Sequence, residues 1–596
     1  MKAGALARLM AGVGAMAAAA MASAGATIAW FDLEGKLADR PEPLAFLQPE
    51  PKPTLLDVVH GVHRAAEDEG VKGLVVRLRE PVMGMTQAEE LGEAFKAARE
   101  RGKRVILFTE NYGPGEIVLG SFADEVVMQM GGVASFPGLH MEELFLADTL
   151  GWLGLKADFV QIGDYKGAKE QLGNSAPSPA WEENISGLLD SMYATMRGHV
   201  EQGRGMSPAE LDEAMRVAWL ADDSVAVQSG LVDRAMDRLE LEGALAESFG
   251  EDYETDLSYV EARGGASMDM TNPFAMLKAL SEPPDRTPKG NAIAIVHIDG
   301  VIVDGESEPP SPLSGGGSVG SLTIRKALAE IEYEENVRGV VVRIDSPGGS
   351  ASASESIWQG LRRVAETKPV WVSVGGMAAS GGYYIAVAGE KVYVNPSSIV
   401  GSIGVVGGKI VLGGAMEKLH MHVVSRSRGP SADMMSLQRE WSAEERALVE
   451  STMRRTYEQF VDRVTQGRDG IDIGATAEGR LFTGARAVEL KMADEVGGLD
   501  AAVTGLAERL GLEEYELIDY PAPKSLAEML EEIAGSFGMA GARSGLSSPV
   551  LSAGAEAAKA LVGERAWESV SESIRGALEL RRERVLLISP RVLIAR

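Results

Sequence analysis

The sequence predicts an α/β protein built from two homologous domains in tandem, and three observations carry that expectation. First, the chain is written twice: "VKGLVVRLREP" (71–81) returns as "VRGVVVRIDSP" (337–347), a shift of 347 − 81 = 266 positions. The same shift carries "FADEVVM" (122–128) onto "AGEKVYV" (388–394) and Gly138 onto Gly404 without a gap. One phase held over so long a stretch is the mark of an internal repeat. Second, within each copy short β-branched runs (74–78, 105–108 and 126–128; then 340–344, 370–374 and 392–394) alternate with helical patterns. Continuous apolar strands between helices indicate a sheet buried on both faces and joined by βαβ crossovers. Third, "SEPPDRTPKGN" (281–291), between the copies, has the Pro-rich polar composition of a linker.

Taken in order, the chain opens with Lys2 and Arg8, an Ala/Met/Gly/Leu stretch, and then Ala22, Ser23 and Ala24. That is the layout of a secretory signal, short and only mildly apolar for a full membrane span. Residues 1–25 are therefore expected to be a signal peptide or an N-terminal membrane anchor, and either implies export. The first strand occurs as "TIAWFDLEG" (27–35) and again as "AIAIVHIDG" (292–300), a shift of 300 − 35 = 265, which confines the leader to the residues before it. The expected domains are 26–270 and 291–512, with a linker at 271–290. Helical stretches at 181–202 and 442–466 close each copy on its sheet, and "EPPSPLSGGGSVGS" (308–321) reads as a mobile loop. Residues 513–596 have no counterpart elsewhere and read as a helical C-terminal extension, with amphipathic patterns at 525–534 and 554–582. They finish in "RRERVLLISPRVLIAR", whose apolar run is broken by Pro590 and Arg591. That break favours packing against another subunit over membrane contact.

Composition removes several function classes. A chain of 596 residues exceeds one core, and 45% hydrophobic with 24% charged residues is ordinary for a globular protein. The net charge of −29 argues against nucleic acid as a partner. Zero cysteines exclude disulfides, thiolate nucleophiles and Cys-ligated metals. The close histidine pairs, His60/His63 and His420/His422, lack the supporting carboxylate pattern of a metal motif, so no metal site is expected.

The chemistry lies where the copies differ. Ser380, in "VGGMAASGGYYIA", corresponds to Pro114 (380 − 266), so the first copy lacks that hydroxyl. Conversely, "VQIGDYKGAKE" of the first copy contains Lys166, while the second copy has "VVSRSRGPSADMM" there. One set of parts is divided between the halves. A serine hydroxyl requires a base within hydrogen-bond reach, and a lysine serves when burial lowers its pKa. From spacing alone a loop lysine is more often solvated, and Lys169 is a rival. A tetrahedral intermediate also needs backbone N–H donors. "DSPGGSASASES" (345–356) offers Gly348 and Gly349 before a helix start, and Gly381 follows the serine at another. Ser346 and Ser350 read as turn and cap residues.

These pieces, "DSPGGS", "GGMAASGGYYIA", "NPSSIVGSIGV" and "GDYKGAKE", closely resemble the S49 serine peptidases in their long, internally duplicated signal-peptide-peptidase form, over about residues 26–510. The resemblance implies two tandem ClpP/crotonase-like domains, with Ser380 as nucleophile and Lys166 as general base. It implies Gly349 as an oxyanion-hole donor, to which the residues add Gly381. Ser402 of "VGSIGV", whose counterpart is Phe136, stands where a third group would orient the lysine amine. The implied activity is a Ser-Lys endopeptidase that degrades cleaved signal peptides and other short or unfolded chains through an acyl-enzyme, without a cofactor. The implied setting is the periplasmic face of a bacterial inner membrane, membrane-associated, as a homo-oligomer, a homotetramer by resemblance. Two alternatives share parts of the pattern: a crotonase-like acyl-CoA enzyme, which needs no Ser/Lys pair, and a non-catalytic scaffold. The reciprocal loss of serine and lysine between copies favours the dyad.

Overall fold

The computed structural model describes residues 25–42, 51–263, 286–308, 317–523, 585–589 and 594–595. The chain forms two compact units. The first comprises the described parts of Met1–Asp39, Pro53–Gly138 and Arg197–Arg263, and the second those of Arg40–Lys52, Leu139–Met196 and Gly264–Arg596.

In the first unit the chain alternates β1 (Thr27–Glu34), α1 (Leu55–Glu67), β2 (Val71–Arg79), α2 (Met85–Glu100), β3 (Arg104–Thr109), α3 (Pro114–Gly120) and β4 (Glu125–Gln129). The sheet order is Glu254–Asp256, β1, β2, β3, β4, Arg234–Met236, and every neighbouring pair is parallel. Parallel neighbours require crossovers, which is why a helix follows each strand. Leu74, Val75 and Val76 of β2 are fully buried, as a strand covered on both faces demands. A reciprocal capping box between Thr54 and Asp57 starts α1.

The second unit repeats the frame. Its strands are β5 (Lys156–Ile162), β6 (Ala292–Asp299), β7 (Val337–Ser346), β8 (Val370–Ala379) and β9 (Val405–Val411). Helix α4 (Ala351–Val364) joins β7 to β8, and α5 (Gly381–Ala386) follows β8 directly. The main sheet runs Leu481–Thr483, Ile399–Gly401, β8, β7, β6, Glu516–Tyr520, with Lys391–Val394 also paired to β8. The starts of successive elements, 55, 71, 85, 104 and 125, recur at 321, 337, 351, 370 and 391, each 266 later. The duplication is thus a duplication of architecture.

The compact units and the sequence copies part company at Leu139–Met196, which lies in the first copy but belongs to the second unit. The reason is a second sheet, ordered Ser318–Gly320, Val301–Val303, Gly348–Ser350, Leu586–Ile588, β9, β5. In it β5 pairs antiparallel with β9 from Val405↔Ile162 to Val411↔Lys156.

Other boundaries move as well. Glu516–Tyr520, expected beyond the second domain, is an edge strand of its sheet, paired parallel to β6. Within the expected mobile loop, Ser318–Gly320 is a short strand and Ser321 opens a helix. The leader, most of the linker and the amphipathic patterns of the C-terminal extension lie outside the described residues. The apolar end, expected to pack against another subunit, instead contributes Leu586–Ile588 to a sheet of its own chain. A four-residue apolar run, Val585–Ile588, has no periodicity to separate a strand from a packing face. Among the described residues no helix is long and apolar enough to cross a membrane.

Candidate active site

Strand β8 ends at Ala379 and α5 begins at Gly381, so Ser380 is the single residue at the bend. Its backbone sits at φ 55, ψ −113, a region that a non-glycine residue enters at a cost of about 1–3 kcal/mol. Two hydrogen bonds hold it there: the Ser380 N–H donates to the Gly401 carbonyl (2.7 Å), and the Ser380 carbonyl accepts from the Tyr384 N–H (2.8 Å). The small residues before it, Ala378 and Ala379, are fully buried.

Lys166 arrives from the other sequence copy. The chain leaves β5 at Ile162, turns at Gly163, and is pinned by the Tyr165 N–H donating to the Glu478 carbonyl (2.8 Å). The Lys166 N–H donates to the Gly163 carbonyl (3.2 Å). Gly479, at φ +90, lies so close that a Cβ there would stand 2.4 Å from the Lys166 backbone nitrogen. Beside the lysine, Gly167 lies flat against the Trp181 ring, whose Nε1–H donates to Glu143 (2.8 Å).

The lysine amine then meets both serines. Nζ lies 2.5 Å from Ser380 Oγ, 2.9 Å from Ser402 Oγ and 2.9 Å from the Ser402 carbonyl. Lys166 and Ser380 are fully buried and Ser402 is 1% exposed. Burial pushes the Lys166 amine well below the usual lysine range, because the charged form loses its hydration. A neutral amine has two N–H groups and one lone pair, matching three contacts. The Ser402 carbonyl can only accept, so it takes one N–H, and Ser402 Oγ accepts the other. The lone pair is left facing the Ser380 hydroxyl, the arrangement that proton removal from a serine requires. Ser402 is itself bent, at φ 54, with its N–H donating to the Arg480 carbonyl (2.6 Å).

The predicted glycines flank this group. Gly349 lies in Gly348–Ser350, opposite Ile302 on one side and Leu587 on the other. A Cβ at Gly349 would stand 1.9 Å from the Ile302 carbonyl oxygen, so glycine is required there for close approach. Ser346 Oγ donates to the Gly300 carbonyl (2.6 Å) and accepts from the Gly348 N–H (3.1 Å), while Ser350 caps α4. Gly381 is the first residue of α5, a position whose N–H has no intrahelical acceptor. Lys169 belongs to the short 3₁₀ turn after Lys166 and is partly exposed. Sequence reasoning missed the carbonyls of Gly401, Glu478 and Arg480, which hold the backbones of Ser380, of Tyr165 beside Lys166, and of Ser402. Main-chain oxygens leave no residue-type signal; Gly479 is the one trace of that contact.

A family model described as Peptidase family S49 matches residues 97–248 and again 362–513, two copies displaced by 362 − 97 = 265. The chain belongs to peptidase family S49. Its two tandem S49 domains have the ClpP-like fold, and a Clp protease model matches residues 320–400 of the second. Among curated relatives, the chain is 28% identical to Protease 4 of Salmonella typhi over 503 residues, covering 81% of this chain and 76% of that one. It is 28% identical to Protease 4 of Haemophilus influenzae over 508 residues, covering 81% and 79%. The chloroplastic serine protease SPPA of Arabidopsis thaliana is 27% identical over 488 residues, covering 79% and 69%. The S49 chain is accordingly a peptidase acting on peptide substrates, which sets aside the acyl-CoA and scaffold alternatives.

Proposed function

We propose that this S49 peptidase is a serine endopeptidase working through a Ser380/Lys166 dyad. The observation that carries the reading is the 2.5 Å approach of a fully buried lysine amine to a serine hydroxyl held in a bent conformation. In the first step neutral Lys166 takes the Ser380 proton as Oγ attacks the scissile carbonyl. The N–H groups of Gly349 and Gly381 receive the oxyanion, and Ser402 holds the amine in line. The ammonium returns its proton to the leaving amine, giving an acyl-enzyme; water, deprotonated by the same amine, then releases the acid. No step calls for a cofactor.

The substrates in this reading are cleaved signal peptides and other short or unfolded polypeptides. The relatives named Protease 4 and SPPA support that class, as does the export signal legible at the N-terminus. The same signal supports a periplasmic, inner-membrane-associated enzyme, and the S49 resemblance supports assembly as a homotetramer. The test is labelling by a serine-directed fluorophosphonate together with peptide hydrolysis. Ser380→Ala and Lys166→Ala should each abolish both, and undiminished labelling in both variants would end the dyad reading.

A further inference from the structure

The helix Pro179–Arg204 turns an apolar stripe inward, where Trp181, Ile185 and Leu188 are buried in one cluster with Met377, Ala379 and Leu481. Asn184 falls in the same stripe by helical spacing and is 7% exposed, so an amide stands where a leucine would pack. A buried amide is retained where its polar ends are met. Here the Leu481 N–H donates to Asn184 Oδ1 (2.9 Å), and Asn184 Nδ2 donates to the Tyr165 carbonyl (3.3 Å). Both partners belong to peptide groups that serve the proposed site. The Tyr165 carbonyl shares its peptide plane with the Lys166 N–H, so holding it fixes the main chain from which the amine projects. The Leu481 N–H shares its plane with the Arg480 carbonyl, which accepts from the Ser402 N–H (2.6 Å).

We propose that Asn184 is a positioning residue for the peptidase reaction, its amide bridging the main chain of Lys166 to the Arg480–Leu481 peptide that holds Ser402; the proposal rests on the dyad reading of the site. The chemistry explains the residue type. An amide donates at one end and accepts at the other, whereas a carboxylate only accepts and a leucine does neither. Two further ties join the same segments: the Arg480 guanidinium lies over the Tyr165 ring, 4.0 Å from its centre, and the Tyr165 N–H donates to the Glu478 carbonyl (2.8 Å). Loss of the amide therefore shifts the lysine without freeing it. A small shift of a base that sits 2.5 Å from its nucleophile slows the chemical step, while peptide binding, which the amide does not touch, is kept.

The test uses the full-length protein and compares Asn184→Leu, which removes both ends and keeps the stripe apolar, with Asn184→Asp, which keeps the acceptor and loses the donor. Ser191→Ala is the control: on the same helix, its hydroxyl meets Thr483 Oγ1 (2.6 Å) and ties helix to strand without reaching either peptide group. Both Asn184 variants should lower kcat about tenfold with KM unchanged, while Ser191→Ala stays within about twofold of the wild type. In a Ser402→Ala background, Asn184→Leu should cost about threefold or less, because both changes act on one amine. Asn184→Asp, which leaves the Leu481 N–H partnered, decides the question where the leucine variant folds poorly. Wild-type kcat in a folded Asn184 variant, an equal loss in Ser191→Ala, a raised KM in place of a lowered kcat, or a full tenfold loss on top of Ser402→Ala would each overturn the proposal. Ser380→Ala and Lys166→Ala, run in parallel, separate the two readings. Hydrolysis retained in either counts against the dyad, whereas its loss in both, with the Asn184 variants unslowed, counts against the bridge alone.

Discussion

The two sequence copies lay down the same strands and helices at the same spacing, and they differ where chemistry is at stake. In the first, β3 stops at Thr109 and Pro114 opens α3 from a relaxed N-cap, Gly113 at φ −96. In the second, β8 runs on to Ala379 and the chain bends sharply at Ser380. Where Ser402 touches the lysine, the first copy has Phe136, fully buried. The exchange is reciprocal, since β5 of the first copy delivers Lys166 while its counterpart, residues 422–428 (156 + 266 to 162 + 266), is exposed and without regular structure. On the dyad reading, a duplicated frame can therefore lose half its catalytic parts and keep its core, because a few bends and hydroxyls carry the chemistry while the apolar strands carry the fold.

The strongest way to break this comparison is to move the serine. Ser380→Ala should lower kcat by about 10⁴-fold or more, the scale for removing a nucleophile from a preorganised site. Adding Pro114→Ser to that variant should restore nothing, because a hydroxyl there has neither a buried lysine nor a Ser402 equivalent beside it. Recovered peptide hydrolysis in the double variant would show that the first copy retains a latent site. Lys166→Met should cost nearly as much, and Lys166→Arg should not rescue it, since a guanidinium stays protonated. The wild-type pH profile follows from the same amine. Its burial-lowered pKa means that kcat/KM falls as acid protonates Lys166 and rises with pH along a limb well below the ordinary lysine value of about 10.4. A limb at or above that value would mean the reacting amine is charged at neutral pH, and the geometry would need another base.

Much of this is legible in the sequence. The 266-residue phase gave the two-domain frame, and Pro114 opposite Ser380 gave the proposed division of labour, because both are statements about residue types in register. Three features were not legible. The transfer of Leu139–Met196 to the second unit depends on β5 pairing with β9, and long-range antiparallel register is not written in either strand alone. The strained bends at Ser380 and Ser402 are set by carbonyls of Gly401 and Arg480, which any residue would supply. The tail strand escaped because "VLLIS" in isolation reads equally well as strand, helix turn or packing face.

A smaller effect sharpens the role of Ser402. Ser402→Ala removes one of the three partners of the amine and, on the dyad reading in which its hydroxyl positions the base, should reduce kcat by about 10- to 100-fold with little change in KM. Ser402→Gly also removes the hydroxyl but suits φ 54, so it should be more stable than the alanine variant by about 1 kcal/mol and equally slow. If the glycine variant regains wild-type kcat, the backbone bend matters and the hydroxyl does not.

The finest comparison pits two glycines of similar conformation in the two units. Gly479 (φ +90) would place a Cβ 2.4 Å from the Lys166 nitrogen, whereas Gly102 (φ +78), in the first unit, has nothing within 4 Å of its Cβ position. Alanine at either site carries backbone strain of about 1 kcal/mol. Gly102→Ala should therefore lower Tm by a few degrees and leave kcat unchanged. Gly479→Ala must in addition push the Lys166 backbone aside, and main-chain atoms yield poorly. A displacement of a few tenths of an ångström at the lysine loosens the 2.5 Å contact with Ser380, so kcat should drop about three- to tenfold beyond any stability loss. Measured together, the pair separates strain from position: equal kcat in both alanine variants would show that the lysine's placement tolerates movement, and that the close approach of Gly479 serves packing alone.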